Sequence, residues 1–340
     1  MRLGRQYVTG ADGGRYPADA VLGVDGYLSA AAERMAVLAG VRQSFAKAEQ
    51  LLAELSGWDL DDDTIRQRTH AAARRATASR DRRGDAARFV QAPGGIEVPI
   101  DAGKVNTTGG WRDVKLAVFA RREPGPPATP ATWGERELPA PRVRTVVANI
   151  EESDAFAVRV RAEADRLGAT TAADVTVLGD GAEWLWNLGA DVFPQATGVL
   201  DIYHALEHLS DAAKAVWGEG TAAAAAQLDA GRSALLSGGK AGLERWLGEA
   251  FGAVPAGGST DPLLEVAAYF AKHPTRLDYA GRLASGRSIG SGLVEGSIKQ
   301  LVNLRLKRTG ARWRAAHVGP LVEIIALADT PDWHAFWTAA

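Results

Sequence analysis

The spacing of apolar residues changes once along this chain, from a helical to a strand period, and this change constrains the fold most. Between Tyr27 and Leu55 the apolar residues recur at steps of three and four: Leu28, Ala31, Met35, Leu38, Val41, Phe45, Ala48, Leu52 and Leu55. Such steps place them on one face of an amphipathic helix. From Ile96 to Ile100 apolar residues alternate with others, as in a half-buried strand. The sequence therefore predicts a helical N-terminal part followed by a part that contains a sheet.

Residues 1–92 are predicted to be helical and to bind DNA. Gly40 is expected to divide the first helix and Gly57 to end it. Three residues offer N-caps for a further helix: Asp62, Asp63 and Thr64. A helix, a glycine turn and a capped helix are typical of a helix-turn-helix motif, whose second helix enters the major groove. Here that helix carries Arg66, Arg68, Arg74 and Arg75. Two packed helices of a bundle fit the same pattern.

From residue 93 onward the period predicts an α/β fold. The order of runs is β-β-β-α-β-α-β-α, over residues 96–100, 114–119, 144–150, 154–167, 174–178, 183–193, 198–203 and from 204. Three strands followed by alternating helices and strands is the order of an RNase H-like mixed sheet, although other α/β layouts share it. The expected parts are a first core segment at 93–205, an all-helical insertion at 206–285, a last core segment at 286–330 and a tail at 331–340.

The last core segment is expected to contain a basic helix that starts at Ile298 and is broken at Gly310. A further stretch, 315–328, is expected to trail away from that helix. The preceding segment, 206–285, is rich in alanine and has Trp and Leu residues at helical spacing, which predicts helices without strands.

Composition predicts a soluble, cytoplasmic protein. No apolar run approaches the roughly 18 residues of a membrane span, and Met1–Arg5 lack the apolar core of a signal peptide. The chain has no cysteine, which excludes disulfides, thiol catalysis and cysteine-ligated zinc. Any metal ion is therefore expected to be held by oxygen or imidazole.

Cations are clustered, although a net charge of −2 does not by itself favour a polyanionic partner. One cluster has a single acid, Glu295, among Arg287, Lys299, Arg305, Lys307, Arg308, Arg312 and Arg314. A second cluster contains Arg74, Arg75, Arg80, Arg82, Arg83 and Arg88. Such clusters are most often solvated helix faces, but two in one chain favour a nucleic-acid partner.

Three carboxylates are the candidate catalytic and metal-binding residues. Asp101 and Asp180 directly follow strand-like runs, and Glu295 lies in a segment of small residues before the basic helix. Carboxylates at strand ends point into the crevice where α/β sheets bind ligands. Their oxygens suit two Mg²⁺ or Mn²⁺ ions, which about 4 Å apart support phosphoryl transfer. Lys299 and Arg305 are then expected to neutralise phosphates. Cap or turn roles for the aspartates, and a first-turn role for Glu295, fit the same pattern.

A shorter motif offers a different chemistry. His204, Glu207 and His208 match the H-x-x-E-H pattern of inverted zinc peptidases. Two histidines four residues apart share one helix face, but three fixed positions in five residues are a weak match. Packing in the core is the more common role for such a histidine.

Four long blocks resemble sequence blocks of Kra-type bacterial insertion-sequence transposases, a family similar in its core to the bacterial relatives of Mutator-like transposases. The blocks are DAGKVNTTGGWRDVKLAVFARRE, VLGDGAEWLWN, VLDIYHALEHL and GSGLVEGSIKQLVNLRLKRTGARW, with GRYPAD and SFAKAEQLLAELSG near the start. The resemblance implies an RNase H-like DDE transposase that cleaves DNA and transfers strands with Mg²⁺ or Mn²⁺. It places the triad on Asp101, Asp180 and Glu295.

The resemblance also assigns further residues and partners. Asp201 and His204 match a D-x-x-H motif, which implies that His204 assists at the active site, and Trp313 falls on a tryptophan near the end of the last block. Double-stranded DNA, as element ends and target, is the implied partner of a homo-oligomer associated with the nucleoid. Relatives carry paired cysteines where this chain has Tyr7–Asp12. That departure leaves open a catalytically inactive, DNA-binding remnant.

Overall fold

A computed structural model of the 340-residue chain describes residues 6–10, 13–22, 24–25 and 28–338. Some residues that the sequence-based predictions used lie outside these ranges: Met1–Arg5, Tyr27, and positions 11 and 12 of the stretch Tyr7–Asp12. The strands are β1 (Val8–Gly10), β2 (Gly13–Arg15), β3 (Val24–Asp25), β4 (Leu28–Ser29), β5 (Gly95–Thr107), β6 (Gly110–Arg122), β7 (Val143–Asn149), β8 (Val175–Gly179) and β9 (Thr197–Leu200).

The α-helices follow the same chain order. They are α1 (Pro17–Leu22), α2 (Ala30–Arg42), α3 (Phe45–Ser56), α4 (Asp62–Ala78), α5 (Asp85–Gln91), α6 (Ser153–Arg166), α7 (Glu183–Val192), α8 (Ile202–Trp217), α9 (Ala222–Gly252), α10 (Asp261–Ala271), α11 (Tyr279–Ala284), α12 (Gly292–Ser297), α13 (Leu304–Leu306), α14 (Ala315–Leu327) and α15 (Asp332–Thr338). A π-helical stretch, Ile298–Asn303, runs between α12 and α13. None of the helices in the described part of the chain is long and apolar enough to cross a lipid bilayer.

The chain forms two compact units. Unit 1 comprises Met1–Gly84, Val105–Trp111 and Leu301–Ala340, as far as these are described, and unit 2 comprises Asp85–Lys104 and Arg112–Gln300. This division differs from the domain boundaries expected from the sequence, because residues 301–330 belong to unit 1. The expected trailing segment, 315–328, instead forms helix α14, which packs against α4 within that unit.

Unit 1 contains the helix, glycine turn and capped helix expected from the sequence. Helix α3 ends at Gly57, whose φ of +65° suits a residue without a side chain. Helix α4 is capped by Asp61, whose carboxylate accepts a hydrogen bond from the Thr64 N–H at 2.8 Å. The cap therefore lies one residue before the three candidates, Asp62, Asp63 and Thr64. An acid at Asp61 and two in the first turn all favour the positive end of the helix dipole.

Gly40 does not break the first helix. Helix α2 runs through it to Arg42, and the break comes at Gln43 and Ser44. A Cβ at Gly40 would lie 2.5 Å from Thr69 Oγ1 on α4. The glycine therefore serves close approach of α2 and α4 rather than an interruption, a distinction that local sequence does not reveal.

Unit 2 has a mixed α/β fold, as predicted at the level of class. Its sheet has five strands in the order β7-β6-β5-β8-β9. Strands β6 and β7 are antiparallel, whereas β5 with β8 and β8 with β9 are parallel. Buried aromatic and aliphatic side chains from the sheet and the helices form one continuous core, including Phe119, Phe156, Leu178 and Leu185. This core holds the central strands in a fixed register.

Strand β5 is longer than the sequence predicted. It extends to Thr107, so that Asp101 lies within the strand rather than directly after it. The ladder to β8 nevertheless ends at the pair Pro99 and Leu178.

Residues 206–285, all of which are described, form helices joined by turns and contain no strand. Helix α9 is bent at Gly239, whose φ is +52°. A Cβ at Gly239 would lie 2.6 Å from the carbonyl oxygen of Leu277, so this bend requires glycine. Leu235, Leu243 and Trp246 on the two arms of α9 are buried in the core of unit 2.

Candidate active site

The register of the sheet brings the two candidate aspartates to the same level. Pro99 pairs with Leu178, and two residues further along each chain stand Asp101 and Asp180. Parallel strands end at the same edge of a sheet, where α/β proteins bind ligands. Gly179 permits close approach here, because a Cβ would lie 3.0 Å from the Ile100 carbonyl oxygen. Both carboxylates are half-buried.

Asp101 shares one electrostatic environment with the other predicted site residues. Burial is the main cause that raises its pKa from 3.8 to about 6, and the charges of Asp180 and Glu295 raise it further. A hydrogen bond at 2.6 Å from the Ala102 N–H and the nearby ring of His204 act in the opposite direction. The structure thus brings these four residues into one neighbourhood within unit 2. Crowded carboxylates whose mutual repulsion raises a pKa form a donor set that suits a hard divalent cation.

The carboxylates are near one another but are not gathered into a finished coordination sphere. Among the described residues, no three acidic, histidine or cysteine side chains are arranged so that they could hold a metal ion. Glu295 is exposed on α12, whereas Asp101 and Asp180 are half-buried.

The turn after β8 is fixed around Asp180. Its Oδ1 accepts a hydrogen bond from the Ala182 N–H at 2.9 Å, and its carbonyl oxygen accepts one from Trp186 Nε1 at 2.8 Å. Gly181 lies against a ring, because a Cβ there would be 2.3 Å from Tyr269 Cε2. The backbone on both sides of the carboxylate is therefore held in place.

Tyr269 on α10 lies in the electrostatic environment of the candidate site, although the sequence did not predict it there. Burial is the main cause that raises its pKa, and Asp180 and Asp201 contribute through their negative charges. Its ring stacks on His208, with ring centroids 3.7 Å apart. Nothing in the local pattern of α10 distinguishes Tyr269 from a core residue, because its position at the site depends on how α10 packs against α8.

Asp201 connects the strand β9 to the segment that carries Glu295. It is 0% exposed, and its Oδ1 caps helix α8 by accepting hydrogen bonds from the N–H groups of Tyr203 at 2.7 Å and His204 at 3.0 Å. Its Oδ2 accepts a hydrogen bond from the Ser291 N–H. The Ser291 hydroxyl lies 3.4 Å from Glu295 Oε1. Asp201 therefore joins the N-terminus of α8 to the segment that carries Glu295, a connection that the D-x-x-H match did not specify.

His204 and His208 of the H-x-x-E-H motif have different surroundings. His204 Nδ1 lies 3.2 Å from Glu207 Oε2, and His204 also contributes to the electrostatic environment of Asp101. The ring of His208 is stacked on Tyr269. The structure therefore places His204 with the carboxylates, and gives His208 a packing contact.

The predicted DNA-binding cations fall into exposed and buried groups. The exposed ones are Arg66, Arg74, Lys299, Lys307, Arg312 and Arg314, while Arg68, Arg75 and Arg308 are half-buried. Arg305 is 4% exposed, and its Nε donates to the Gly40 carbonyl oxygen at 2.9 Å. Its guanidinium lies over the rings of Phe45 and Trp313. The expectation that Arg305 neutralises phosphates is not met in this conformation, because the side chain is used for packing within unit 1.

Comparison of the sequence with known protein families and with curated proteins finds no match.

The burial of Asp101 predicts a stability difference that can be measured without metal. Because its pKa is raised in the folded chain, the stabilisation linked to Asp101 is full below about pH 3.8 and is lost as the pH rises through about 6. Asp101→Asn should therefore raise the free energy of unfolding by about 1 kcal/mol at pH 7.5, after allowance for partial exposure, and by almost nothing near pH 4. Urea unfolding in EDTA measures this. Asp113→Asn, at an exposed position paired with Lys104, is the matched control. An Asp101→Asn effect of equal size at both pH values would contradict the interpretation.

Proposed function

We propose that this chain is a DDE transposase that catalyses metal-dependent cleavage and strand transfer of an insertion sequence. The observation that carries the proposal is the shared electrostatic environment of Asp101, Asp180, Glu295 and His204 at one edge of the sheet. These are the residues to which the resemblance assigns catalysis. They come from four different elements: β5, the turn after β8, α12 and α8. Their closeness in space is therefore not a result of closeness in sequence.

The sheet supports an RNase H-like core. Three consecutive strands, β5, β6 and β7, occupy one side, and β8 and β9 continue the sheet parallel to β5 on the other. Helices α6 and α7 precede β8 and β9, respectively. This matches the order of a meander followed by helix and strand alternation that the sequence predicted.

Each residue has a defined part in the proposed reaction. Asp101, Asp180 and Glu295 would hold the Mg²⁺ or Mn²⁺ ions. When bound, these supply a nucleophile and stabilise charge on the departing oxygen. Asp201 and Ser291 orient the segment that carries Glu295. Lys299 is exposed, four residues beyond Glu295, and would attract the phosphates of DNA. His204 adds a titratable ring beside Asp101.

Two other functions remain as alternatives. A DNA-binding remnant without catalysis is left open by the stretch Tyr7–Asp12, where the transposases that this chain resembles carry paired cysteines. A zinc-dependent hydrolase that uses His204, Glu207 and His208 is less well supported, because the ring of His208 is stacked on Tyr269. We further propose double-stranded DNA as the partner of a homo-oligomer associated with the nucleoid in the cytoplasm.

Cleavage of duplexes that carry the inverted repeats flanking the gene tests the proposal. We expect strand cleavage with Mg²⁺ or Mn²⁺ and none in EDTA, because the carboxylates alone supply no Lewis acid. Products are resolved on denaturing gels, with binding measured in parallel. Binding without cleavage under every metal condition would favour the remnant. Hydrolysis that depends on Zn²⁺ and on His208 would favour the hydrolase.

A further inference from the structure

Unit 1 contains an open cavity of about 430 Å³ that residues of its own helices and loops line. Its lining includes three arginines and two histidines: Arg66, Arg312, Arg314, His70 and His317. Aromatic and small side chains complete it. We call this cavity the cationic pocket. The residues come from α4, from the loop before α14 and from α14 itself. The pocket is thus built from segments far apart in sequence.

The positive charge of the cationic pocket is largely uncompensated. No Asp or Glu is among the residues that line it. The side chains of Arg312 and Arg314 are exposed and form neither a hydrogen bond nor an ion pair with residues that the structure describes. Arg66 does pair with Asp63, one turn earlier on α4. Two guanidinium groups beside a cavity therefore remain available to an anion.

The two histidines of the cationic pocket are affected by the same positive charges. The rings of His70 and His317 meet edge to face, with centroids 4.2 Å apart. Burial is the main cause that lowers the pKa of His70 to about 4, and the charges of His317, Arg66, Arg74 and Arg305 add to it. The pKa of His317 is lowered by burial and by three arginines. Both rings are therefore neutral at pH 7, when they can serve as hydrogen-bond donors at the wall of the pocket.

The loop that carries the arginines is firmly positioned. The backbone of Trp313 exchanges hydrogen bonds with the β5–β6 hairpin, accepting from the Thr108 N–H at 2.8 Å and donating to the Asn106 carbonyl oxygen at 3.1 Å. Its indole Nε1 donates to the Leu306 carbonyl oxygen at 2.9 Å. Because Trp313 is anchored, the backbone at positions 312 and 314 is already ordered. Binding of an anion there therefore costs less conformational entropy.

We propose that the cationic pocket binds a backbone phosphate of double-stranded DNA. Guanidinium groups match phosphate oxygens in geometry and charge, and phosphate contacts set the register of a protein on a duplex. Arg66 lies on α4, the second helix of the helix-turn-helix-like part, so a phosphate held here would position that helix. The inference rests on the proposed function only in taking DNA as the partner, and it does not involve the carboxylates.

Fluorescence anisotropy with labelled duplex in EDTA tests this proposal separately from catalysis. Arg312→Ala and Arg314→Ala should each weaken binding about tenfold at low salt and lower the slope of log affinity against log salt by about 1. Ala311→Trp, which fills the pocket without changing charge, should weaken binding similarly. Lys240→Ala removes an exposed cation that neither lines the pocket nor belongs to the predicted DNA-binding set, and should change affinity less than twofold.

Other results would separate the cationic pocket from alternative modes of binding. Equal losses for Lys240→Ala and Arg312→Ala, with no effect of Ala311→Trp, would overturn the pocket in favour of a diffuse electrostatic attraction. If millimolar inorganic phosphate raises the melting temperature of the wild-type chain but not of Arg314→Ala, while DNA affinity is equal in both, the pocket binds free phosphate and the proposal fails. Loss of cleavage with intact DNA binding concerns the carboxylates and leaves the pocket unaffected.

Discussion

Asp180→Asn is expected to reduce DNA cleavage by about 10³-fold or more while leaving the fold and DNA binding intact. A bound divalent ion contributes several kcal/mol of transition-state charge stabilisation, and a neutral amide ligates it poorly. Asparagine keeps an oxygen that accepts the Ala182 N–H bond, so that the turn after β8 is preserved. Asp101→Asn and Glu295→Gln should have similar effects. Single-turnover cleavage assays measure the loss, and circular dichroism verifies the fold.

The matched control removes a carboxylate outside the site. Asp113→Asn eliminates an exposed acid that pairs with Lys104, and should cleave at the wild-type rate. A triad variant that keeps full activity would remove that residue from the mechanism. If all three did so, the DDE assignment would be wrong, even if the chain bound DNA tightly.

The absence of cysteine in the sequence permits a sharper version of the same test. Asp180→Cys introduces the only thiol of the chain, and a thiolate prefers softer ions than Mg²⁺. We expect cleavage by this variant to be lost with Mg²⁺ and partly restored with Mn²⁺ or Zn²⁺. Restoration specific to the cysteine variant and absent from Asp180→Asn would identify direct ligation.

Much of unit 2 follows from local pattern. The alternation at 96–100 and the apolar run before Asp180 predict two strands, and a parallel register then places Asp101 and Asp180 at one level. The length of β5 was not predictable, because residues beyond Ile100 lack alternation and are held in the strand by the partner β6. The D-x-x-H match pointed to Asp201, but its bond to the Ser291 N–H depends on tertiary structure.

Two predictions from local sequence, at Gly40 and Arg305 of unit 1, differ from the structure. Gly40 looks like a helix breaker, but packing against Thr69 decides its role. Arg305 looks like one of a set of surface cations, yet its stem and guanidinium are buried between Gly40, Phe45 and Trp313. In both cases the deciding contact is with a residue distant in sequence. A charge cluster predicts an electropositive region more reliably than it predicts which members face solvent.

Asp201 is expected to stabilise the fold through hydrogen bonds to three backbone N–H groups. Asp201→Ala would leave three backbone N–H groups, of Tyr203, His204 and Ser291, without their acceptor. At about 1 kcal/mol or more for each buried donor, the free energy of unfolding should fall by about 3 kcal/mol or more. Urea unfolding in EDTA measures this, and a loss below about 1 kcal/mol would mean that solvent replaces the carboxylate.

Two milder substitutions separate stability from the positioning of Glu295. Asp201→Asn keeps an oxygen for the N-terminus of α8 but turns an amide donor toward the Ser291 N–H, so it should cost about 1–2 kcal/mol and also slow cleavage. Ser291→Ala retains the backbone N–H bond to Asp201 and loses only the hydroxyl beside Glu295. We expect unchanged stability and cleavage several-fold slower, restored by Ser291→Thr. If Ser291→Ala cleaves at the wild-type rate while Asp201→Asn does not, Asp201 acts through helix α8 and His204 rather than through the segment that carries Glu295.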